Sequence, residues 1–197
     1  MFKPTVQLPM PPHCIDICRI NCTKIALLVT EYPMMSNSDL APITQDFYTF
    51  VKQFKTLLLA TTNSEGVPEA SYAPYVSTQG DYYIFISELA AHTRNLKQTK
   101  RCSVLFIEDE DKTNQLFARK RATLQCDAVE ITRQMPSCEP ILQLFDEQFG
   151  KFFGMLRQLP DFHLYRLSPK TVSYVAGFGK AYTLTGNDLS QVTLRRN

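Results

Sequence analysis

The sequence predicts a mainly β, α+β fold: a closed or nearly closed antiparallel barrel of six or seven strands with a few flanking helices. Three observations carry this. Apolar and polar residues alternate in short runs separated by turn signals about every 8–12 residues, the spacing of all-β sandwiches and barrels. Stretches with helical periodicity interrupt those runs only a few times. Thirteen Phe and nine Tyr with no Trp suit a core built from strands. Closure of the sheet also removes the unpaired edges that template aggregation.

The chain of 197 residues is long enough for one domain with a real core. Residues 1–35 stand apart. Pro4, Pro9, Pro11, Pro12 and Pro33 interrupt any period there, which predicts a disordered leader or a translation start at Met34 or Met35. A single domain is predicted over residues 36–186. Ser38 or Asp39 caps its first helix, Pro42 fits the first turn, and Phe47, Phe50, Val51 and Phe54 recur at i, i+3, i+4 and i+7. Residues 56–61 read as a buried-type strand, 63–66 as a turn and 67–77 as the returning strand. A second turn at 79–81 leads into a strand over 82–87, where Tyr83 and Phe85 alternate with Ile84 and Ile86. A short helix is predicted from 89 to about 98, then a strand over 103–108, an acidic loop and a longer strand within 115–132. Residues 139–159 give the strongest helix, with Leu142, Phe145, Phe149, Phe152 and Leu156 along one stripe. Strands over 162–167, 171–175 and 181–185 complete the sheet. The polar tail, 187–197, is predicted to fray.

The formal net charge of +2 gives no electrostatic case for nucleic acid or a membrane surface as partner. No stretch approaches the roughly 20 apolar residues of a membrane-spanning helix. Six cysteines are present, with Cys14, Cys18 and Cys22 at i, i+4 and i+8. Without a signal-peptide pattern ahead of them, reduced thiols in a cytoplasmic setting are expected. Their spacing lacks the two-residue gaps of common metal motifs, so no metal site is expected.

The chemistry-bearing residues concentrate in residues 56–128. Arg94 and Asn95 follow the third predicted strand, and a guanidinium matches the oxygens of a flavin or pyridoxal phosphate bidentately. Ser71 and Ser87 add hydroxyl donors nearby. Arg119, Lys120 and Arg121 are placed on a neighbouring strand, where alternation turns two of them to one face and the third to the other. These segments together are expected to bring several cations to one site for a phosphate-bearing cofactor. Neither a Ser-His-Asp set nor paired catalytic carboxylates can be assigned, and Glu108, Asp109, Glu110 and Asp111 read as a solvated loop.

Several ordered motifs carry a resemblance: Thr56-Leu57-Leu58-Leu59-Ala60-Thr61, Gly66-Val67-Pro68, Ser71-Tyr72-Ala73-Pro74, Arg94-Asn95-Leu96, Ser103 to Asp109, Gln115 to Arg121, and Gly177-Phe178-Gly179-Lys180-Ala181-Tyr182. In these, residues 46–186 resemble the haem-utilisation (HugZ/HutZ-type) branch of the pyridoxamine-phosphate-oxidase-like, FMN-binding split-barrel superfamily. The resemblance implies a six-stranded antiparallel split β-barrel with flanking helices, forming a homodimer with cofactor sites between subunits. It implies an oxidoreductase that uses haem or FMN, or else a haem- or flavin-binding module without turnover. By the same resemblance, Ser71 and Tyr72 lie on the first flavin-contacting strand, Arg94 among the phosphate-binding cations, and Lys120 and Arg121 on a further flavin-contacting strand. His92 matches a histidine position of the branch, where as a cation it would meet a phosphate or a propionate. Asp161 matches an acidic residue near the branch's subunit interface. The branch ligates iron through a histidine in the C-terminal tail, and residues 186–197 contain none. Ala91-His92 stands where the true oxidases have an Arg-Lys pair.

Overall fold

The computed structural model describes residues 37–195; the predicted leader, with its three cysteines and His13, lies outside them. Strand β1, Thr56–Thr62, shows how the sequence builds the sheet. Leu57, Leu59 and Thr61 point inward and are buried, while Leu58 faces outward and is 47% exposed. This period-two alternation buries one face only. Strands β2 (Pro68–Thr78), β3 (Asp81–Ser87), β4 (Arg101–Ile107), β5 (Arg121–Ile131) and β6 (Phe162–Gly177) continue it. The order β3-β2-β1-β4-β5-β6 closes through antiparallel pairing of β3 with β6, giving a six-stranded barrel.

Strand β6 explains how the barrel splits. Its first half pairs with β3, from Phe162 opposite Ser87 to Leu167 opposite Tyr82. Its second half leaves β3 and pairs instead with β7, Lys180–Thr185. The sequence predicts two strands here, broken around Pro169. The chain runs through as one strand because a bulge absorbs the irregularity: Gln125 faces Thr171 while Cys126 faces Pro169. The tail predicted to fray forms β8, Gln191–Leu194, which pairs with β7 and extends the sheet to eight strands.

Helix α1, Asn37–Val51, packs Phe47, Phe50 and Val51 into the barrel core, with Pro42 inside the helix rather than in its first turn. A polar latch fixes it. Lys120 Nζ lies 2.8 Å from Asp46 Oδ1, Tyr174 Oη donates to Asp46 Oδ2 at 2.6 Å, and the ammonium stands 5.3 Å from the Phe50 ring centroid. Burial disfavours ionisation of Asp46. The hydrogen bonds from Lys120 and Tyr174 and the charges of Lys120 and Lys180 outweigh it, holding the carboxyl below its ordinary value of 3.8. A depressed carboxyl stabilises the fold above the unfolded-state value and loses that contribution as pH falls through the folded one. The urea midpoint of the wild type is therefore expected to drop more steeply than that of Asp46→Asn below about pH 4. Parallel acid limbs for the two proteins would refute the latch.

Helices α3, Cys138–Phe149, and α4, Lys151–Leu156, cover the outer face of β3, so that strand is buried on both sides. Tyr82, Ile84 and Ile86 join the barrel core, whereas Tyr83 and Phe85 join a second cluster with Leu142, Phe145 and Phe153. The single long helix predicted here is two. Gly150 adopts φ +65°, a left-handed conformation open to glycine at little cost, and its N–H bonds the Asp146 carbonyl at 2.8 Å. Among the described residues no helix is long and apolar enough to cross a membrane.

Candidate functional site

Helix α2, Ala91–Thr99, delivers the first group of predicted residues. It packs mainly on β1, and a left-handed Lys100 ends it, with that residue's N–H on the Leu96 carbonyl. Leu89, predicted inside this helix, instead lies in the turn before it and is exposed. The turn is fastened at several points. Ser87 Oγ donates to Asp161 Oδ2 at 2.8 Å, Glu88 N–H donates to the Asp161 carbonyl at 2.8 Å, and Thr93 Oγ1 donates to the Ser87 carbonyl at 2.6 Å. Ser87 and Asp161 thus secure the junction of β3 and β6.

Beneath α2 a second network forms. His92 Nδ1 lies 2.9 Å from Ser71 Oγ, and buried Asn95 donates to Thr61 Oγ1 at 3.0 Å and Glu69 Oε2 at 3.3 Å. Burial pushes the His92 pKa down, only partly opposed by the Glu69 charge. The neutral imidazole is favoured over the cation that the sequence suggests. Asn95 is occupied in holding α2 to β1 and β2. Asn95→Leu leaves Thr61 and Glu69 without their shared donor, and a loss of about 1–3 kcal/mol is expected in urea unfolding. An unchanged midpoint would show that water replaces the amide.

The second group is placed differently from the prediction: only Arg121 is on β5, while Arg119 and Lys120 belong to the connection before it, after a 3-10 turn at Leu116–Ala118. Arg119 donates from Nε to the Glu108 carbonyl at 2.9 Å and from Nη1 to Glu110 at 3.1 Å. Lys120 is engaged by Asp46. Arg121 donates to the Arg119 carbonyl at 3.1 Å and has no carboxylate partner among the described residues. Arg94 is exposed and likewise without one, with one long contact to the Leu89 carbonyl at 3.4 Å. Of the predicted cations, Arg94 and Arg121 are therefore the two whose charge is uncommitted.

These two lie apart. Arg94 lines a cavity with Glu130, near the end of β5, whereas Arg121 begins that strand. The stretch of strand from Arg121 to Glu130 spans about 30 Å. One chain does not gather the predicted cations at one point. Near Arg121 two aromatic side chains stand exposed among charged ones. Phe117 is 93% exposed in the preceding 3-10 turn, and Phe178 is 87% exposed on the β6–β7 turn, just beyond Val175, the β6 partner of Arg121. Along the outer sheet face, Tyr72, 65% exposed, pairs with Leu58, which pairs with Leu105. Tyr72 and Ser71 thus face opposite sides of the sheet.

Sequence reasoning missed one cluster. His163 Nδ1 lies 2.8 Å from Glu130 and Nε2 lies 2.7 Å from Glu88, in a cavity of about 260 Å³ shared with Thr93, Arg94, Lys97 and Tyr165. The three residues come from β6, β5 and the turn after β3, and no local pattern joins them.

Comparison with known proteins fits this architecture. The family model described as pyridoxamine 5'-phosphate oxidase matches residues 43–176. The haem oxygenase HutZ of Vibrio cholerae is 44% identical over 141 residues, covering 71% of this chain and 80% of HutZ. The chloroplastic non-canonical haem oxygenase HOZ of Arabidopsis thaliana is 31% identical over 126 residues, 62% of this chain but only 36% of HOZ. The crystal structure of Campylobacter jejuni ChuZ superposes with a TM-score of 0.70 at 33% identity, over 78% of this chain and 62% of ChuZ. Barrel, motif order and relatives agree: the chain belongs to the haem-utilisation branch of the pyridoxamine-5'-phosphate-oxidase-like split-barrel superfamily.

Proposed function

We propose that two copies of this chain bind haem between them and open the ring with oxygen and a reductant, in a cytoplasmic setting. The observation that carries the reading is the pair of uncommitted guanidiniums at opposite ends of β5, Arg121 at its start and Arg94 in the cavity with Glu130 near its finish, with exposed Phe117, Phe178 and Tyr72 on the surface near Arg121 and the outer sheet. Antiparallel packing of two outer sheet faces through Leu58, Tyr72 and Leu105 would bring the Arg94 end of one copy to the Arg121 end of the other. Such a crevice joins aromatic surface for a planar ring to cations for its propionates. Haem supplies the oxygen chemistry when bound, and the chain supplies orientation and charge. The relatives support the ligand class, since HutZ and HOZ are haem oxygenases by name.

Haemin titration tests this: a saturable Soret band at one haem per chain is expected, with loss of the band under oxygen and reductant. A protein that gives no bound-haem spectrum removes the reading, and bound haem that survives turnover conditions reduces it to storage. The family match to pyridoxamine 5'-phosphate oxidase favours FMN as second reading. Quenching of FMN fluorescence by the protein, without a haem spectrum, would select it.

A further inference from the structure

We infer that Cys102 and Cys126 are a peroxide-oxidised thiol pair that closes a disulfide across β4 and β5 inside the barrel. The pair sits at the other end of the β4–β5 ladder from Arg121, and its chemistry needs no bound haem.

Strand register brings the thiols together. Cys102 and Cys126 stand directly opposite in the antiparallel ladder, both free and both buried in the barrel core. Just beyond the two ends of this ladder, the Ala128 N–H donates to the Lys100 carbonyl at 2.8 Å and the Glu108 N–H to the Lys120 carbonyl at 2.9 Å. Hydrogen-bonded positions alternate with open ones along antiparallel strands, which makes Cys102 and Cys126 a hydrogen-bonded pair. Such a pair has Cα atoms about 5.5 Å apart, within disulfide range. Its Cβ atoms, also about 5.5 Å apart, stand roughly an ångström wider than an unstrained link requires. The backbone must therefore give, and β5 is able to give here. On its other side the ladder with β6 shifts register between Gln125 and Cys126, and Cys126 faces Pro169, which has no N–H to donate.

The oxidant has a way in. Both cysteines line a cavity of about 570 Å³, together with Arg101, Ser103, Asp127 and Lys170, and a hydroperoxide is small enough to enter it. A hydrogen bond with Cys102, followed by burial, pushes the Cys126 thiol up, so that Cys126 keeps its proton. Cys102 is then the sulfur that attacks and Cys126 the one that resolves. The Cys102 thiolate takes one oxygen from hydrogen peroxide as the O–O bond breaks, giving a sulfenic acid and one water. The Cys126 sulfur displaces the hydroxyl of that sulfenic acid, and its proton leaves with it as a second water. The two thiols give up two electrons, which reduce the peroxide. Cys138, the third described cysteine, is buried in the other cluster, away from both.

Differential alkylation and peptide mass spectrometry of the full chain, before and after brief treatment with hydrogen peroxide, test this. Cys102 and Cys126 are expected to lose labelling together and to appear as a linked peptide lighter by two hydrogens, while Cys138 keeps its label. Strain makes the link labile, so glutathione is expected to restore both thiols. Cys126→Ala is expected to leave Cys102 as a sulfenic acid that dimedone traps, and Cys102→Ala to leave Cys126 without dimedone. The wild-type mapping needs no variant to fold. Thiols at 102 and 126 that stay alkylatable after peroxide, or that link to a different cysteine, overturn the pair. Dimedone on Cys126 in Cys102→Ala, with none on Cys102 in Cys126→Ala, overturns the assignment of attacking and resolving sulfurs.

Discussion

Arg121→Ala is expected to weaken haemin binding roughly 10–100-fold, the loss of one or two charge-assisted contacts of about 1.5–3 kcal/mol. Its urea midpoint should stay close to that of the wild type, because the guanidinium makes one internal bond, to the Arg119 carbonyl. The neighbours give the opposite pattern. Lys120→Met removes the partner of Asp46 and the cation over Phe50 and Tyr174. It is therefore expected to lower stability while changing haemin affinity little. Arg119→Ala should loosen the Glu108–Glu110 connection, where its guanidinium is spent. Three adjacent basic residues thus separate into one uncommitted charge and two structural ones. Isothermal or spectroscopic haemin titration alongside urea unfolding resolves them. If Arg121→Ala binds haemin like the wild type, or Lys120→Met is the variant that loses it, the division is wrong.

That division was not legible in the sequence, and the reason is physical. Basic character and order are local properties, and they place the run Arg119-Lys120-Arg121 in the right region. Which of the three is free depends on Asp46, 74 residues away, and on a loop that ends just before β5 begins. Strands were readable because burial of one face imposes alternation, as Leu57 and Leu59 against Leu58 show. The failures occur where a pattern survives a break in the backbone. The apolar spacing of α3 carries on through α4 in the sequence, so periodicity reports one helix; the break at Gly150 turns Phe153 inward and leaves Phe152, counted in that stripe, 65% exposed. Conversely Pro169 reads as a strand end, yet a bulge lets β6 pass through it. Short β8 carries two apolar residues, Val192 and Leu194, too few for a pattern, and takes its order from β7. The site follows the same rule. The sequence offers Ser71, His92 and Asn95 as separate residues, and they meet the barrel strands only once α2 is set by the turn that Ser87 and Asp161 fasten.

Phe145→Ala is the largest stability change expected, a loss of about 3–5 kcal/mol for a buried aromatic truncated in a packed cluster. The ring stacks on Phe153 at 4.9 Å between centroids, lies 5.8 Å from Phe149, and approaches Phe85 on β3 at 6.5 Å. It joins both helices to the outer face of β3, beside the direct contact of Phe153 with Phe85 at 5.2 Å. The cavity is confined to the second cluster, because Phe106, Leu124 and Tyr174 belong to the barrel core on the other side of the strand. Hydrogen exchange should therefore rise first in α3 and α4, while amides of β1, β4 and β5 keep protection set by global unfolding. Arg157, which ties α4 to Glu139 and Asp146, and Gln148, which donates to the Tyr75 carbonyl at 3.0 Å, are too near the surface to compensate. The face bearing Arg121, Phe117 and Phe178 is formed by other strands, so haemin affinity per folded molecule should be unchanged. Equal loss of protection in β1, β4 and β5 would mean that the helices and the barrel fold as one unit, and that the outer layer is as much a part of the core as the strands it covers.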